Sequence, residues 1–168
     1  MRKLLAVGVL GLASLPAHAI CVSEAGETYG GELDAADHVF VAIITQATLA
    51  EDPVALHQRA VANPKNKWNF YPINYQYSVL ATLKGDPKAV SHLEGRALYN
   101  PPDGRRMYFA ESIDWQPGDV VLVVAKGSGP VALSFCGPSK PFDWAMSNLR
   151  EEGRHDLDQF LPSVAKPK

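Results

Sequence analysis

The sequence lacks the residue groupings from which most active sites are built. It has two cysteines and five histidines among 168 residues, and no two histidines stand at the His-x-His or His-x3-His spacing of a metal site. It also contains no Gly-x-Ser-x-Gly nucleophile elbow and no P-loop. We therefore expect no bound metal, no cofactor and no enzymatic activity.

Long apolar runs are also missing, apart from one at the amino terminus. Arg2 and Lys3 precede an apolar stretch of about 12 residues, and Ala17-His18-Ala19 supplies a small-x-small cleavage site. A transmembrane helix needs about 20 apolar residues. Residues 1–19 are therefore predicted to be a secretory signal peptide. Residues 20–168 are predicted to form a single exported domain without a membrane span, either periplasmic or secreted.

Positive charge is scarce in the exported part of the chain. Two of the 16 basic residues and none of the 18 acidic residues lie in the signal peptide, so the exported part has 14 basic and 18 acidic side chains and a formal charge of −4. A nucleic-acid-binding protein would carry a basic stripe that neutralises phosphates. Neither nucleic acid nor an anionic membrane surface is therefore an expected partner.

The two cysteines, Cys21 and Cys136, both fall in the exported part. An oxidising compartment favours a disulfide between them. The alternatives are two free thiols or metal ligation, although two sulfurs without a histidine cluster make a poor zinc site.

The segment 119–144 is the most informative part of the chain. Val120–Ala125 is a valine-rich apolar run typical of a buried strand. Gly127–Gly129 suits a tight turn, and the following residues alternate, with Val131, Leu133 and Phe135 on one side. These features predict a β-hairpin.

A helix is predicted after this hairpin, from about Pro141 to Glu152. Ser139 is expected to cap its start and Gly153 to end it. One face of the helix is apolar and carries Phe142, Ala145, Met146 and Leu149.

Three strands are predicted before the hairpin. His38–Ala47 is almost continuously apolar and should be buried on both faces. Ile73–Leu83 alternates with period two, and Ala89–Tyr99 is a weaker strand in which Gly95 is expected to mark a bulge. A short helical insertion separates the first two strands. It begins at Asp52-Pro53, ends at Asn63-Pro64 and carries on one face Val54, Leu56, Ala60 and Val61.

Four motifs, taken in order, resemble the netrin-like domain family that includes the tissue inhibitors of metalloproteinases. They lie within about 110 residues, from Ala36 to Leu149. The resemblance implies a mainly β fold: a five-stranded Greek-key barrel of the oligonucleotide/oligosaccharide-binding (OB) type with a C-terminal helix. The matching segments are Ala36–Val41, Tyr77–Leu80 with Leu83-Lys84-Gly85, Pro117–Ala125, and Cys136–Pro141.

The chain departs from the family pattern at two places. The family begins with Cys-x-Cys, whereas the exported chain has a single cysteine there, and the region Tyr108–Ser112 lacks a second family cysteine. Both partners of one family disulfide are therefore missing together, which leaves Cys21 and Cys136 as the remaining pair.

The resemblance implies a bacterial exported binding module. Its partner would be a protein, peptide or glycan in the cell envelope or outside the cell. The alternative implied by the family is inhibition of a zinc metalloprotease through the mature N-terminal segment. The terminal amine of Ile20 would then have to ligate the metal one residue ahead of Cys21. A shared fold does not by itself carry a function.

Aromatic residues near the insertion suggest where a partner binds. They would either form an exposed platform or fill the barrel interior. Together with the N-terminal segment and the loop beyond Asn100, they define a predicted binding surface that comprises Ile20, Val22, Trp68, Phe70, Tyr71, Asp103 and Arg105.

The predicted disulfide can be tested directly. Non-reducing mass spectrometry of the exported protein should detect a crosslinked peptide that contains Cys21 and Cys136. Because such a bridge closes a loop of more than 100 residues, Cys136→Ser should lower the free energy of unfolding by about 2–5 kcal/mol. Two thiols that react with an alkylating agent in the native protein would contradict the prediction.

Overall fold

The computed structural model describes residues 28–62, 69–100, 105–107 and 115–164. Within these ranges the chain is mainly β, with helices near both ends of the described part. Two single 3₁₀ turns, Pro87–Ala89 and Asp158–Phe160, complete it. In chain order the helices and strands are α1 (Tyr29–Ala35), β1 (His38–Leu49), α2 (Pro53–Ala62), β2 (Asn69–Lys84), β3 (Val90–Asn100), β4 (Arg105–Met107), β5 (Val120–Ala125), β6 (Gly129–Ala132), β7 (Lys140–Pro141), α3 (Phe142–Glu151) and α4 (Leu161–Val164).

All the strands within the described ranges belong to one curled sheet. Its order is β4-β3-β2-β1-β5-β7, and β6 pairs with β3 outside this path. The β3–β6 pairing is parallel, and every other pairing is antiparallel. The long β1–β2 pairing contains three register shifts, and such irregularities bend a strand and increase its twist.

The first half of the central strand β1 is covered on both faces. Phe40, Ala42 and Ile44 point into an inner cluster together with side chains of β2, β3 and β5. Val39 and Val41 point the other way, into an outer cluster formed with α1 and α3. The prediction that this strand has no wet face is confirmed for Val39–Ile44 and is wrong for residues 45–48, which are exposed. The physical reason is that the sheet encloses one core while the helices cover its other side.

The apolar run Val120–Ala125 is a strand, as predicted, and its side chains divide in the same way. Val121 and Val123 enter the inner cluster, whereas Leu122 and Val124 enter the outer one. The long strand Asn69–Lys84 and the strand Val90–Asn100 also confirm the predicted positions.

The predicted hairpin is wrong in its pairing. β5 lies between β1 and β7, and the return strand β6 pairs in parallel with β3 instead of with β5. Gly127 and Gly129 have φ values of 70° and 111°, which allow the chain to leave the plane of β5. The new position lets Val131 and Leu133 pack on the inner cluster.

The insertion helix α2 begins where predicted, because the Asp52 carboxylate accepts a hydrogen bond from the Val54 N–H at 3.2 Å. Its predicted apolar face is wrong. Among the face residues whose side chains the structure describes, Leu56 is buried in the inner cluster, whereas Val54 and Val61 are 61% and 56% exposed.

The C-terminal helix α3 confirms its prediction closely. Phe142, Ala145 and Leu149 are buried against the outer face of the sheet, and Gly153 ends the helix with a φ of 75°. The Glu152 carboxylate then accepts hydrogen bonds from the N–H groups of Tyr29 and Gly30 at 2.7 and 2.8 Å. This clasp joins the two helices of the outer layer.

Gly95 does not mark a bulge in the β2–β3 pairing, whose register is continuous from Asn69 to Tyr75. Its role is a close contact instead. A Cβ atom at this position would lie 2.7 Å from Cε2 of the buried Tyr75 ring, so only glycine leaves room for the tyrosine.

Gly95→Ala should therefore destabilise the protein by about 1–3 kcal/mol, the usual cost of overpacking a core. Chemical denaturation monitored by circular dichroism measures this loss. The neighbouring exposed Arg96 provides the control, since Arg96→Ala should change stability by less than about 0.5 kcal/mol. An equal effect of the two substitutions would contradict the steric explanation.

Candidate functional site

An exposed aromatic pair encloses a lysine at one corner of the sheet. The Lys140 ammonium lies 5.4 Å from the centre of the Phe135 ring and 5.1 Å from that of the Trp144 ring. Both rings remain 44% exposed, although large aromatic side chains are usually well buried. We refer to Phe135, Lys140 and Trp144 as the Lys140 patch.

The backbone holds this lysine rigidly. Lys140 belongs to β7 and is in register with Leu122 of the central part of the sheet. Its ammonium also donates a hydrogen bond to the carbonyl oxygen of Phe135. A turn closed by the bond from the Gly137 N–H to the Ser134 carbonyl, 3.0 Å long, brings Phe135 back towards the lysine.

Ser139 supports the patch from below instead of capping α3, so its predicted role is wrong. Its hydroxyl accepts a hydrogen bond from the Val124 N–H at 3.0 Å and donates one to the Val124 carbonyl at 3.2 Å. The residue is only 4% exposed. The hydroxyl thus replaces a strand neighbour beside β5, and the cap position of the helix falls to Pro141.

Trp144 is fixed by an edge-on contact with Tyr29. The two ring centres are 5.3 Å apart and the ring planes lie at 84°, a geometry that aromatic pairs favour. The Tyr29 hydroxyl donates to the Pro138 carbonyl at 3.0 Å. Burial raises the pKa of Tyr29, with smaller contributions from the negative charges of Glu32 and Glu152. The phenol therefore stays neutral and remains a hydrogen-bond donor.

The electrostatics of the patch are those of a partly desolvated cation. Partial burial lowers the pKa of Lys140, and the negative charge of Glu32 opposes this shift. Cation–aromatic contacts compensate for part of the lost hydration. A charge held in this way is available to a partner that brings an anion.

A cleft of about 660 Å³ adjoins the patch. It runs between α1 on one side and the end of β5 with β6 on the other. Most of its lining is small or apolar, and the charged exceptions are Glu32 and Lys126. We call it the α1 cleft, and its lining residues include Gly31, Ala35, Val124, Pro130, Val131 and Pro138.

A second cavity, of about 440 Å³, lies on the other side of β7. Asp119 and Asp143 line it together with Trp115 and Phe142. Asp119 accepts a hydrogen bond from the Gln116 N–H at 2.7 Å, which explains this aspartate as part of the turn before β5.

The structure describes only part of the predicted binding surface. Ile20, Val22, Trp68 and Asp103 lie outside the described residues, as does Cys21. Phe70 and Arg105 belong to the backbones of β2 and β4. Tyr71 is 2% exposed in the inner cluster, so this tyrosine is a core residue and does not form part of a surface.

Cys136 lies in the exposed turn between β6 and β7, next to the Lys140 patch. Because Cys21 is outside the described residues, the Cys21–Cys136 bridge remains a prediction.

The buried Tyr75 and Trp115 support the interpretation of the aromatic residues as core-filling, with ring centres 6.0 Å apart.

The sequence pattern does not indicate the Lys140 patch. Strand alternation had placed Phe135 inside with Val131 and Leu133, but β6 already ends at Ala132. The usable signals were the turn residues Gly137 and Pro138, which end a strand, and the position of Trp144 outside the predicted apolar face of the helix.

Within the described residues, no group of three or more His, Cys, Asp or Glu side chains is arranged to hold a metal ion. None of the helices in these ranges is both long and apolar enough to cross a membrane. No protein-family model matches the chain, and no curated protein matches it.

The support that Ser139 gives to the patch yields a prediction. Ser139→Ala leaves the buried N–H and carbonyl of Val124 without their side-chain partner. The free energy of unfolding should fall by about 1–3 kcal/mol, as measured by urea denaturation. Ser134→Ala, at an exposed position of the same turn, is the matched control and should have little effect. No difference between the two variants would show that water replaces the hydroxyl.

Proposed function

We propose that this chain is an exported, non-catalytic binding module that engages a protein, peptide or glycan partner in the cell envelope. The observation that carries the proposal is the Lys140 patch, in which two half-exposed rings and a fixed cation stand together at one corner. Aromatic residues are enriched at the energetic centres of interfaces. Folding alone would favour burying both rings.

The connectivity of the sheet supports a barrel of the OB type. β1, β2 and β3 form a meander, β5 returns to the free edge of β1, and β6 joins β3 in parallel. We propose that these five strands form a partly open Greek-key barrel. The short β4 and β7 are then additions to it. The netrin-like resemblance remains part of this proposal.

Export is proposed on the signal sequence of residues 1–19 and on the predicted disulfide. The patch adjoins the turn that contains Cys136. A bridge from Cys21 to this turn would therefore bring Ile20 and Val22 of the predicted surface towards the patch.

A capture experiment tests the proposed function. The mature protein, immobilised on a resin, is incubated with envelope extract, and the affinity of each captured partner is then measured in purified form. The double variant Phe135→Ala, Trp144→Ala should weaken binding about tenfold or more, because truncation of a central aromatic anchor commonly costs over 1 kcal/mol. Val61→Ala removes an equally exposed apolar side chain from α2 and should leave binding unchanged.

Two further variants separate the proposed function from its alternatives. Adding one Ala before Ile20 should abolish inhibition of a zinc protease if the terminal amine ligates the metal, because ligand distances tolerate only about 0.2 Å. A binding module should be indifferent to the extension. If Trp68→Ala, Phe70→Ala abolishes binding and the patch variant does not, the partner binds the surface predicted from the sequence, and the patch is rejected.

A further inference from the structure

One lysine lines the α1 cleft, and a second lies close to a lining residue in the chain. Lys126 follows β5 directly and borders the cleft at the turn that leads into β6. Pro138 also lines the cleft, and Lys140 lies two residues further along the chain, opposite Leu122. Within the part of the chain that the structure describes, neither lysine forms an ion pair.

The spacing of the two lysines follows from the strand beneath them. Lys140 is in register with Leu122, and Lys126 is four residues further along the same direction. A strand rises about 3.3 Å per residue, so Lys126 is about 13 Å along the strand direction from Leu122, the residue that Lys140 faces on the neighbouring strand. In an extended peptide, residues i and i+4 are separated by the same distance and point to the same side.

The lining between the lysines limits what can bind there. Gly31, Ala35 and Pro130 leave space for side chains of moderate size. Glu32 also borders the cleft, and its negative charge acts on Lys140, so it would repel an acidic group placed beside it.

From these observations we infer that the α1 cleft and the Lys140 patch bind an extended peptide segment with acidic residues at positions i and i+4 and apolar residues between them. One carboxylate pairs with Lys126 and the other with Lys140. The exposed rings of Phe135 and Trp144 cover an apolar side chain beyond the second acid. The inference rests on the proposed binding function and names the chemical class of its partner.

Fluorescence anisotropy with the mature protein and a defined peptide tests this inference. The probe is a labelled Gly-Glu-Val-Ala-Val-Glu-Leu-Gly peptide, and its control carries Gln in place of both Glu residues. The acidic peptide should bind several times more tightly, and the difference should shrink as salt is added because exposed charges are screened. Equal affinity of the two peptides would overturn the inference.

Protein variants locate the binding site. Lys126→Ala and Lys140→Met should each weaken binding of the acidic peptide about threefold to fivefold, the effect of one exposed ion pair. Methionine keeps the apolar stem between the two rings, and thermal unfolding verifies that the variant is folded. Lys88→Ala, at an exposed lysine elsewhere, should have no effect. Loss of binding in Lys88→Ala to the same extent would mean non-specific attraction and would overturn the inference.

A uronic-acid oligosaccharide serves as the competing ligand. If it binds with the same dependence on Lys126 and Lys140 while the acidic peptide does not, the cleft recognises an acidic glycan, and the inference of a peptide falls. The proposed function survives that result. It fails separately if the immobilised protein captures no partner from envelope extract.

Discussion

The burial of the first half of β1, Val39–Ile44, on both faces is the constraint on which the rest of the structure depends. A strand whose side chains alternate between two apolar environments cannot stand at a surface, so it requires a core on each side. The curled sheet supplies one core, with Phe40 and Ile44 at its centre. The pair of α1 and α3 supplies the other, over Val39 and Val41. Each such side chain contributes about 1.5–3 kcal/mol when it leaves water.

The outer layer depends on polar contacts as well as on apolar packing, because two short helices bury little area. The Glu152 clasp on the start of α1 is one link. Arg154 adds a second, since its guanidinium bonds Asp34 of α1 with two 3.0 Å contacts and also bonds Asp156. These contacts raise the pKa of Arg154 and, reciprocally, lower that of Asp156. Because the side chains are mostly exposed, solvent screens these pairs, and their main role is to fix geometry.

The sequence could predict whatever depends on local pattern. The continuous apolar runs predicted the buried strands, the Asp52-Pro53 pair predicted the start of α2, and the apolar face with Gly153 predicted α3. The sequence could not predict which strands pair when they lie far apart in the chain. The return strand after Gly129 looked like half of a hairpin because its alternation is the same whichever strand it joins. Its choice of β3 depends on which sheet edge is open.

The local sequence pattern could not predict the candidate site, for a related reason. The alternation that contains Val131 and Leu133 extends to Phe135, and nothing in that pattern marks the point at which the strand ends. Ser139 was predicted to be a helix cap because serine is common at that position. In the structure its hydroxyl instead forms hydrogen bonds with Val124 of β5. In both cases a distant element decides the role of the residue. Tyr71 shows the converse error, in which an aromatic residue beside an insertion was assigned to the surface although the sheet curls around it.

Packing alone does not explain why a lysine lies between the two rings of the patch. An aliphatic side chain between Phe135 and Trp144 would fill the same space without losing hydration, whereas burial of the ammonium lowers its pKa and so disfavours the charge. The aromatic contacts return about 0.5–1 kcal/mol at exposed sites. The negative charge of Glu32 acts on this ammonium, and no carboxylate of the described residues lies within ion-pair distance of it. A cation held in this way would gain further stabilisation from an anion that a partner supplies, in line with the proposed binding function.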